Sequence, residues 1–367
     1  MLAKQAPFIL IRVGHKIKDK KSVIISVINL SSMPELPEVE TVVRELNRKL
    51  KNKTVKSVSI LLGKIIALGP GVVSPKRRVT SYKVKKFVRL LKGQKIASVA
   101  RRAKLLIFRF YPGNKSVSSL SGPSIRLRRT RGTLSQMGEG NIVVFVHLKM
   151  TGQFIFFRKS ELGKQVRIIN KASAPLLSMP GKYTHAVLTF TDGSKLFYND
   201  VRQFGYLKLV VGKDLEHVHE FKEFGPEPLD KNFTIRQFFT IVKNARKRKV
   251  AIKQLLMDPK FVAGIGNIYS DEILFRAKVK PERLVRAISA SEKKAIYKAI
   301  LFILKKGIDA KGSSVGDFIR TDGSWGSMGK HHFVYGRAGL PCKVCGSIIK
   351  SAKFGGRTGS FCPNCQK

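Results

Sequence analysis

Hydrophobic positions first fall into a helical pattern just after Pro34 and Pro37, where Val39, Val42, Val43, Leu46 and Leu50 share one face and Glu35, Glu38 and Glu40 lie in or near the first turn. This spacing predicts a helix ending near residue 50. From 55 to about 211 the pattern changes to short β-branched and aromatic runs at 57–61, 95–100, 105–110, 141–147, 153–157, 186–190, 195–198 and 206–211. Several are bounded by turn residues such as Thr191-Asp192-Gly193-Ser194. They predict an antiparallel β-sandwich or barrel. The stretch 112–140, rich in Ser, Gly and Arg (Arg126, Arg128, Arg129, Arg131), reads as a long basic loop, a solvated insertion. Gly225-Pro226-Glu227-Pro228 punctuates the chain, and helical periodicity returns over 234–307 as a second domain. The stretch 312–330, dense in Gly and Ser and holding the only tryptophan, Trp325, reads as a mobile loop.

Composition adds a partner class. The 367 residues, 43% hydrophobic, suffice for two domains and a small appendage. Seventy-one Lys and Arg against 23 Asp and Glu give a formal charge of +48, far beyond what solubility requires, and point to a polyanion, nucleic acid first. A lineage of Lys-rich proteins would contribute to this excess without identifying a ligand. Residues 1–32 hold six Lys or Arg and one Asp, so the excess lies elsewhere. No apolar run reaches the eighteen or so residues of a membrane span.

Two features carry chemistry. The four cysteines form two knuckles, Cys342-Lys343-Val344-Cys345 and Cys362-Pro363-Asn364-Cys365, sixteen residues apart. Two Cys-x-x-Cys pairs at this spacing supply four thiolates to one tetrahedral zinc. With all four positions taken by sulfur, that zinc is structural and holds a hairpin carrying Lys350, Lys353 and Arg357. Pro34 is the second feature. Inside a chain its nitrogen is an amide, but at a free terminus it is a secondary amine with a pKa near ~8, a usable nucleophile. Met33-Pro34-Glu35-Leu36-Pro37-Glu38 reads like a protein N-terminus, yet 32 residues precede it. Phe8-Ile9-Leu10-Ile11 is short for a secretory core, and the segment is Lys-rich where a transit peptide is Arg- and Ser-rich. A start assigned upstream of Met33 accounts for the segment better than a cleaved leader. The turn Gly264-Ile265-Gly266-Asn267 leads into a new helix and can present N–H groups to a phosphate; a tight turn between packed helices explains it equally.

Taken in order, these pieces resemble the bacterial formamidopyrimidine-DNA glycosylases from residue 33 to 367. Pro34 to Thr41, Arg101-Arg102-Ala103-Lys104, His147-Leu148-Lys149-Met150-Thr151-Gly152, Asp200-Val201-Arg202-Gln203-Phe204-Gly205, the 264–269 turn and the zinc knuckles carry the resemblance. It implies an α+β multidomain fold: an N-terminal catalytic β-sandwich flanked by helices at 33–230, a helix-two-turn-helix domain at 231–311, a flexible lesion-recognition loop at 312–330 and a four-cysteine zinc finger at 331–367, with 1–32 outside.

The implied function is excision of oxidised purines, 8-oxoguanine and formamidopyrimidines, from double-stranded DNA, and cleavage at abasic sites. By resemblance Pro34 is the Schiff-base nucleophile, Glu35 the general acid, Glu38 a second carboxylate, Lys104 the lysine assisting β-elimination and Arg357 the arginine of δ-elimination. Met150, Arg202 and Phe204 fill the void left by the everted nucleotide. Arg248 or Lys249, Lys253 and Asn267 match phosphate contacts. At the family's Lys-His-x-His this chain has Lys182-Tyr183-Thr184-His185, which leaves Tyr183 and His185 as altered DNA contacts. The resemblance further implies one zinc, no membrane, a monomer, and a cytoplasmic, nucleoid-associated bacterial setting, or an organellar one if 1–32 is a transit peptide. Two alternatives stand beside it. One is a non-catalytic damaged-DNA-binding protein if 1–32 is retained. The other is an endonuclease VIII-like enzyme for oxidised pyrimidines, against which stand Leu36, where that branch has Gly, and the separation of Met150 from Arg202 and Phe204.

Overall fold

The computed structural model describes residues 33–74, 79–113, 142–167, 177–222, 224–314, 316 and 318–367. The segment 1–32 and nearly all of the basic loop at 112–140 lie outside these residues. The first domain is a two-layer sandwich. One sheet has five strands in the order β2-β9-β5-β4-β3 and the other four in the order β1-β7-β8-β6. The strands are β1 (Val55–Ile60), β2 (Ile66–Leu68), β3 (Gln94–Arg102), β4 (Leu105–Pro112), β5 (Ile142–His147), β6 (Gly152–Phe157), β7 (Thr184–Phe190), β8 (Lys195–Asp200) and β9 (Tyr206–Val211).

Alternation along the strands makes the core. Leu106, Phe108 and Phe110 of β4, Val144 and Val146 of β5, and Leu207 and Leu209 of β9 point between the layers. There they meet Phe154 and Phe156 of β6 and the apolar face of α1 (Leu36–Leu50). The odd-numbered Leu105, Ile107, Val143 and Phe145 form a separate outer cluster with Val218. Among the described residues every strand pair is antiparallel except β2 with β9, a departure from the purely antiparallel expectation. The amphipathic helix α2 (Ser81–Leu91), also unanticipated, begins where the Thr80 hydroxyl accepts the Lys83 N–H, and buries Phe87 and Leu91.

After α3 (His219–Lys222) and the Gly225–Pro228 stretch, the helical domain comprises α4 (Ile235–Ala245), α5 (Ile252–Met257), α6 (Asn267–Arg276) and α7 (Ala290–Asp309). Its core takes in Leu36 of α1, so the two domains share apolar packing at the start of that helix. The chain closes in the hairpin β10 (Lys350–Phe354) and β11 (Arg357–Phe361).

The expected loop at 312–330 is instead held down along much of its described length. Phe318 enters the core between the layers, and Ile319 joins Ile155, Phe157, Val187 and Phe197 on the opposite face of the four-stranded sheet. Arg320 pairs with Glu45 of α1, the Thr321 N–H and hydroxyl both donate to Glu45, and the Thr321 carbonyl accepts the Phe156 N–H at 3.0 Å. A glycine-rich sequence reads as mobile only while its apolar residues have no core to enter. Trp325 remains 51% exposed.

Candidate active site

Glu35 is the N-cap of α1, but its carboxylate serves another helix. Oε2 accepts the N–H of Gly266 at 2.7 Å and that of Tyr269 at 3.4 Å, and Oε1 accepts that of Ile268 at 2.8 Å. These are unsatisfied donors at the N-terminus of α6, so the carboxylate caps that helix from more than 230 residues away in sequence and sits in its positive field. Burial pushes the Glu35 carboxyl above the usual range, against the pull of Lys104 and the three N–H groups. Glu38 returns one cap bond, accepting the Glu35 N–H at 2.9 Å, and accepts the Tyr269 hydroxyl and the Ser313 N–H at 2.7 Å each. Burial and the neighbouring Glu35 charge push the Glu38 carboxyl up to about 7.

Lys104 follows Ala103 in the tight β3–β4 turn, where Ala103 adopts φ 53°. Buried ion pairs fix this turn: Arg101 bridges Glu40 at 2.9 Å and Glu227 at 2.7 Å, Arg102 reaches Glu227 at 3.0 Å, and the Ala103 N–H donates to the same Glu227. Glu227 belongs to the Gly225–Pro228 stretch, so the punctuation read in the sequence anchors the hairpin. Lys104 thereby reaches the space over Gly266. A Cβ at 266 would lie 2.5 Å from Glu35 Cδ and 2.7 Å from Lys104 Nζ, which explains why glycine stands there. Burial lowers the Lys104 pKa, opposed by Glu35 and Glu38 and assisted by Arg357.

Glu35, Lys104 and Gly266 line a cavity of about 300 Å³ together with Met33, His147, Asn267, Tyr335 and Arg357. Pro34, buried, lies between the lining residues Met33 and Glu35. His147 opens one of the quoted motifs but carries no role in the sequence reading. Its Nδ1 accepts the Lys149 N–H at 3.0 Å, and burial, Lys149 and Lys104 push its pKa down to about 3. The ring is therefore neutral with its proton on Nε2, the nitrogen left free to donate. Arg357 arrives at the first position of β11, presented by the Gly355-Gly356 turn.

A second constellation surrounds Asp200. Its carboxylate accepts the Thr151 hydroxyl and, at 2.7 Å, the Gly205 N–H, while the Thr151 oxygen accepts the Arg202 N–H at 2.9 Å. Two turns distant in sequence, 148–152 and 200–205, are thus tied together. Half-buried Met150 and exposed Arg202 and Phe204 stand on them. Phe204 is 55% exposed with the Arg202 guanidinium 4.9 Å from its ring centroid. Asp200 and Thr151 were quoted in the motifs but given no role; their burial and mutual bonding exist only in the fold.

The remaining expected contacts divide by burial. Arg248 and Lys249 are exposed in the turn between α4 and α5, the Arg248 guanidinium lying over Phe261. The Asn267 side chain donates to the Thr358 carbonyl of β11 at 2.9 Å. Lys253 corrects the expectation of a phosphate contact. It is fully buried, and its ammonium is taken up by Asp271, the Ser270 hydroxyl at 3.0 Å and the Asn267 carbonyl. His185 is also buried, its Nε2 2.7 Å from the Asp200 carbonyl, which makes it a support of the second constellation rather than a surface contact. Tyr183 is half-buried beneath the Lys182 ammonium.

The four cysteine sulfurs lie within 4.8 Å of one another, with Cys342–Cys365 at 3.9 Å and Cys345–Cys362 at 3.5 Å. A tetrahedron with Zn–S bonds of about 2.3 Å has edges near ~3.8 Å, so the donor set fits one ion with no position left for water.

Comparison with known proteins matches three families in sequence order. "Formamidopyrimidine-DNA glycosylase N-terminal domain" covers residues 33–207, "Formamidopyrimidine-DNA glycosylase H2TH domain" 224–318, and "Zinc finger found in FPG and IleRS" 339–367. The last match and the sulfur geometry together identify the cysteine site as a structural zinc site. Among curated relatives, the formamidopyrimidine-DNA glycosylase of Pelotomaculum thermopropionicum is 34% identical over 335 residues, 91% of this chain and 99% of the relative. That of Listeria monocytogenes is 33% identical over 335 residues, 91% of this chain and 100% of its own. Lactococcus lactis Fpg in complex with abasic-site DNA superposes with a TM-score of 0.67 at 28% identity, covering 91% of this chain and 99% of that one. MutM in complex with DNA containing carbocyclic 8-oxo-G gives 0.67 at 29% identity, covering 91% and 100%.

Proposed function

The chain belongs to the formamidopyrimidine-DNA glycosylase family, and from that premise we propose a bifunctional enzyme of base excision repair that removes oxidised purines and then cuts the strand at the abasic site. As a family member it is a DNA glycosylase acting on damaged DNA. The finer reading rests on one observation above all. Met33 and Glu35, which flank Pro34, and Lys104, His147 and Arg357, from four separate segments, line one cavity of about 300 Å³.

In the active form Pro34 is the first residue, and its nitrogen is an amine. The family match beginning at residue 33 supports this. The lesion nucleotide leaves the stack, and Met150, Arg202 and Phe204 occupy its place, Arg202 bonding the widowed cytosine; the exposure of Phe204 suits that insertion. The amine attacks C1′, the C1′–N bond breaks and the base departs with its electron pair and a proton. The ring oxygen takes a proton from Glu35 as the sugar opens, leaving a cationic Schiff base between proline and C1′. A carboxyl held above its usual range by burial is suited to donate that proton. Loss of a C2′ proton then expels the 3′ phosphate, with Lys104 contributing. A second elimination on the Arg357 side expels the 5′ phosphate, and water releases the sugar fragment from proline.

Incubating the protein with an 8-oxoguanine duplex and borohydride, then sequencing the adduct by mass spectrometry, tests the reading. A covalent adduct on an N-terminal Pro34 is expected, with strand cutting lost in Pro34→Gly. An adduct-free protein beginning at Met1 that cuts DNA at full rate would overturn it.

A further inference from the structure

The far end of α1 carries a larger hollow that the proposed chemistry does not use. It encloses about 880 Å³ and is lined by Arg48, Lys49, Lys53, Phe156, Arg158 and Lys159, with Asp192 and two serines at its edge. Five cations and one acid thus line the hollow, while Glu45 and Asp322 near Lys49 and Glu161 near Arg158 lie outside the lining. Lys53 pairs with Asp192, and Lys49 donates to the Thr321 hydroxyl at 2.8 Å. Both ammonium groups nevertheless stand 5.7 Å from the centroid of the same Phe156 ring. The Lys159 stem lies across Gly193, where a Cβ would come within 2.9 Å of it. Arg48, Arg158 and Lys159 are exposed. Arg48 stands thirteen positions after Glu35, about 20 Å along the helix axis. The hollow also lies the length of β6, roughly 17 Å, from the Met150 turn.

From this gathering of like charge in a concave wall, we propose a second anion site, separate from the lesion cavity, that takes the phosphodiester backbone of undamaged duplex DNA. Confined cations repel one another and focus an attractive field on a polyanion. Phosphate contacts of this kind need charge but no base edges. An acidic protein partner fits less well. Tight protein interfaces rest on aromatic and apolar anchors, and the one aromatic ring here, Phe156, is 6% exposed.

The test uses the full chain and an undamaged DNA hairpin with a four-base-pair stem, about 14 Å of duplex at about 3.4 Å per base pair and so shorter than the separation of the two sites, with binding followed by fluorescence anisotropy across a salt series. Two hairpins per chain are expected for the unaltered protein and one for the triple variant R48A/R158A/K159A. Removing three phosphate contacts should lower the salt slope of the weaker event by about 2 to 3. D192N, which removes the one acid of the lining, should strengthen that event several-fold. Unchanged stoichiometry and slope in the triple variant would sink the proposal, as would polyglutamate displacing the second hairpin at equal charge concentration. Because the readout is binding of undamaged DNA, it is independent of whether the chain cuts lesions.

Discussion

Glu35 and Glu38 are three residues apart on one helix, and a sequence reading assigns them to helix capping and to chemistry with equal ease. The fold separates the roles. Glu38 performs the capping, while the Glu35 carboxylate turns to the N-terminus of α6 and faces the cavity. The folded Glu38 carboxyl titrates at about 7 against an ordinary 4.5, so the native state binds more protons than the unfolded chain between those values. Its contribution to stability is full below about 4.5 and is lost as pH rises through 7. A displacement of this size is worth of the order of 3 kcal/mol. Glu38→Gln should flatten the fall in unfolding free energy between pH 5 and 8, and identical slopes in denaturant titrations would refute the assignment. Gly266 gives a second test. Gly266→Ala places a methyl group against both Glu35 and Lys104, and should reduce single-turnover base excision by about 100-fold while the protein still folds and binds zinc. Wild-type rates in that variant would mean the two groups need not meet over position 266.

Helix α6 shows what an element adds beyond its residues. It has almost no polar face, and Ser270, Asp271 and Glu272 are all buried. Each acid holds another segment: Asp271 pairs with Lys253 and accepts the Ser360 N–H at 2.9 Å, and Glu272 accepts the consecutive N–H groups of Phe333, Val334 and Tyr335. The sequence pattern marked the Gly264–Gly266 entry to this helix but could not show that its polar residues point inward, because buried acids look like surface acids until their donors are known. The same blindness hid Asp200. Asp200→Asn keeps the size of that side chain and weakens its bonds to Thr151 and Gly205. It should cost about 1–3 kcal/mol of stability and lower affinity for a lesion duplex. Borohydride trapping on a single-stranded abasic oligonucleotide, which requires no eversion, should persist. Loss of both activities in parallel would assign Asp200 to the lesion cavity instead.

In the whole molecule, the zinc hairpin and the sandwich are joined through α6, since Asn267 and Asp271 bond β11 while the start of the helix bonds Glu35. Zinc held by the four cysteine thiolates would thereby keep Arg357 at the cavity, away from the ion itself. Removing zinc by chelation should abolish strand cutting in proportion to metal loss and leave the sandwich folded, followed by zinc content, cleavage and far-UV circular dichroism. Cleavage at an unchanged rate without zinc would separate Arg357 from the chemistry. Amphipathic period, strand alternation, turn residues and cysteine spacing are local properties, and they marked α1, most of the strands and the metal-binding cysteines while missing α2 and the anchoring of 312–330. Pro34, Glu35, Lys104 and Arg357 could be named because they stand in short motifs. Their convergence was decided by contacts between segments as many as 234 residues apart, which no local period encodes. Burial likewise decided that Lys253 is an internal ion-pair partner while Arg248, five residues earlier, stays exposed. A lysine's charge is written in the sequence, but whether a carboxylate or water surrounds it depends on what the rest of the chain packs against it.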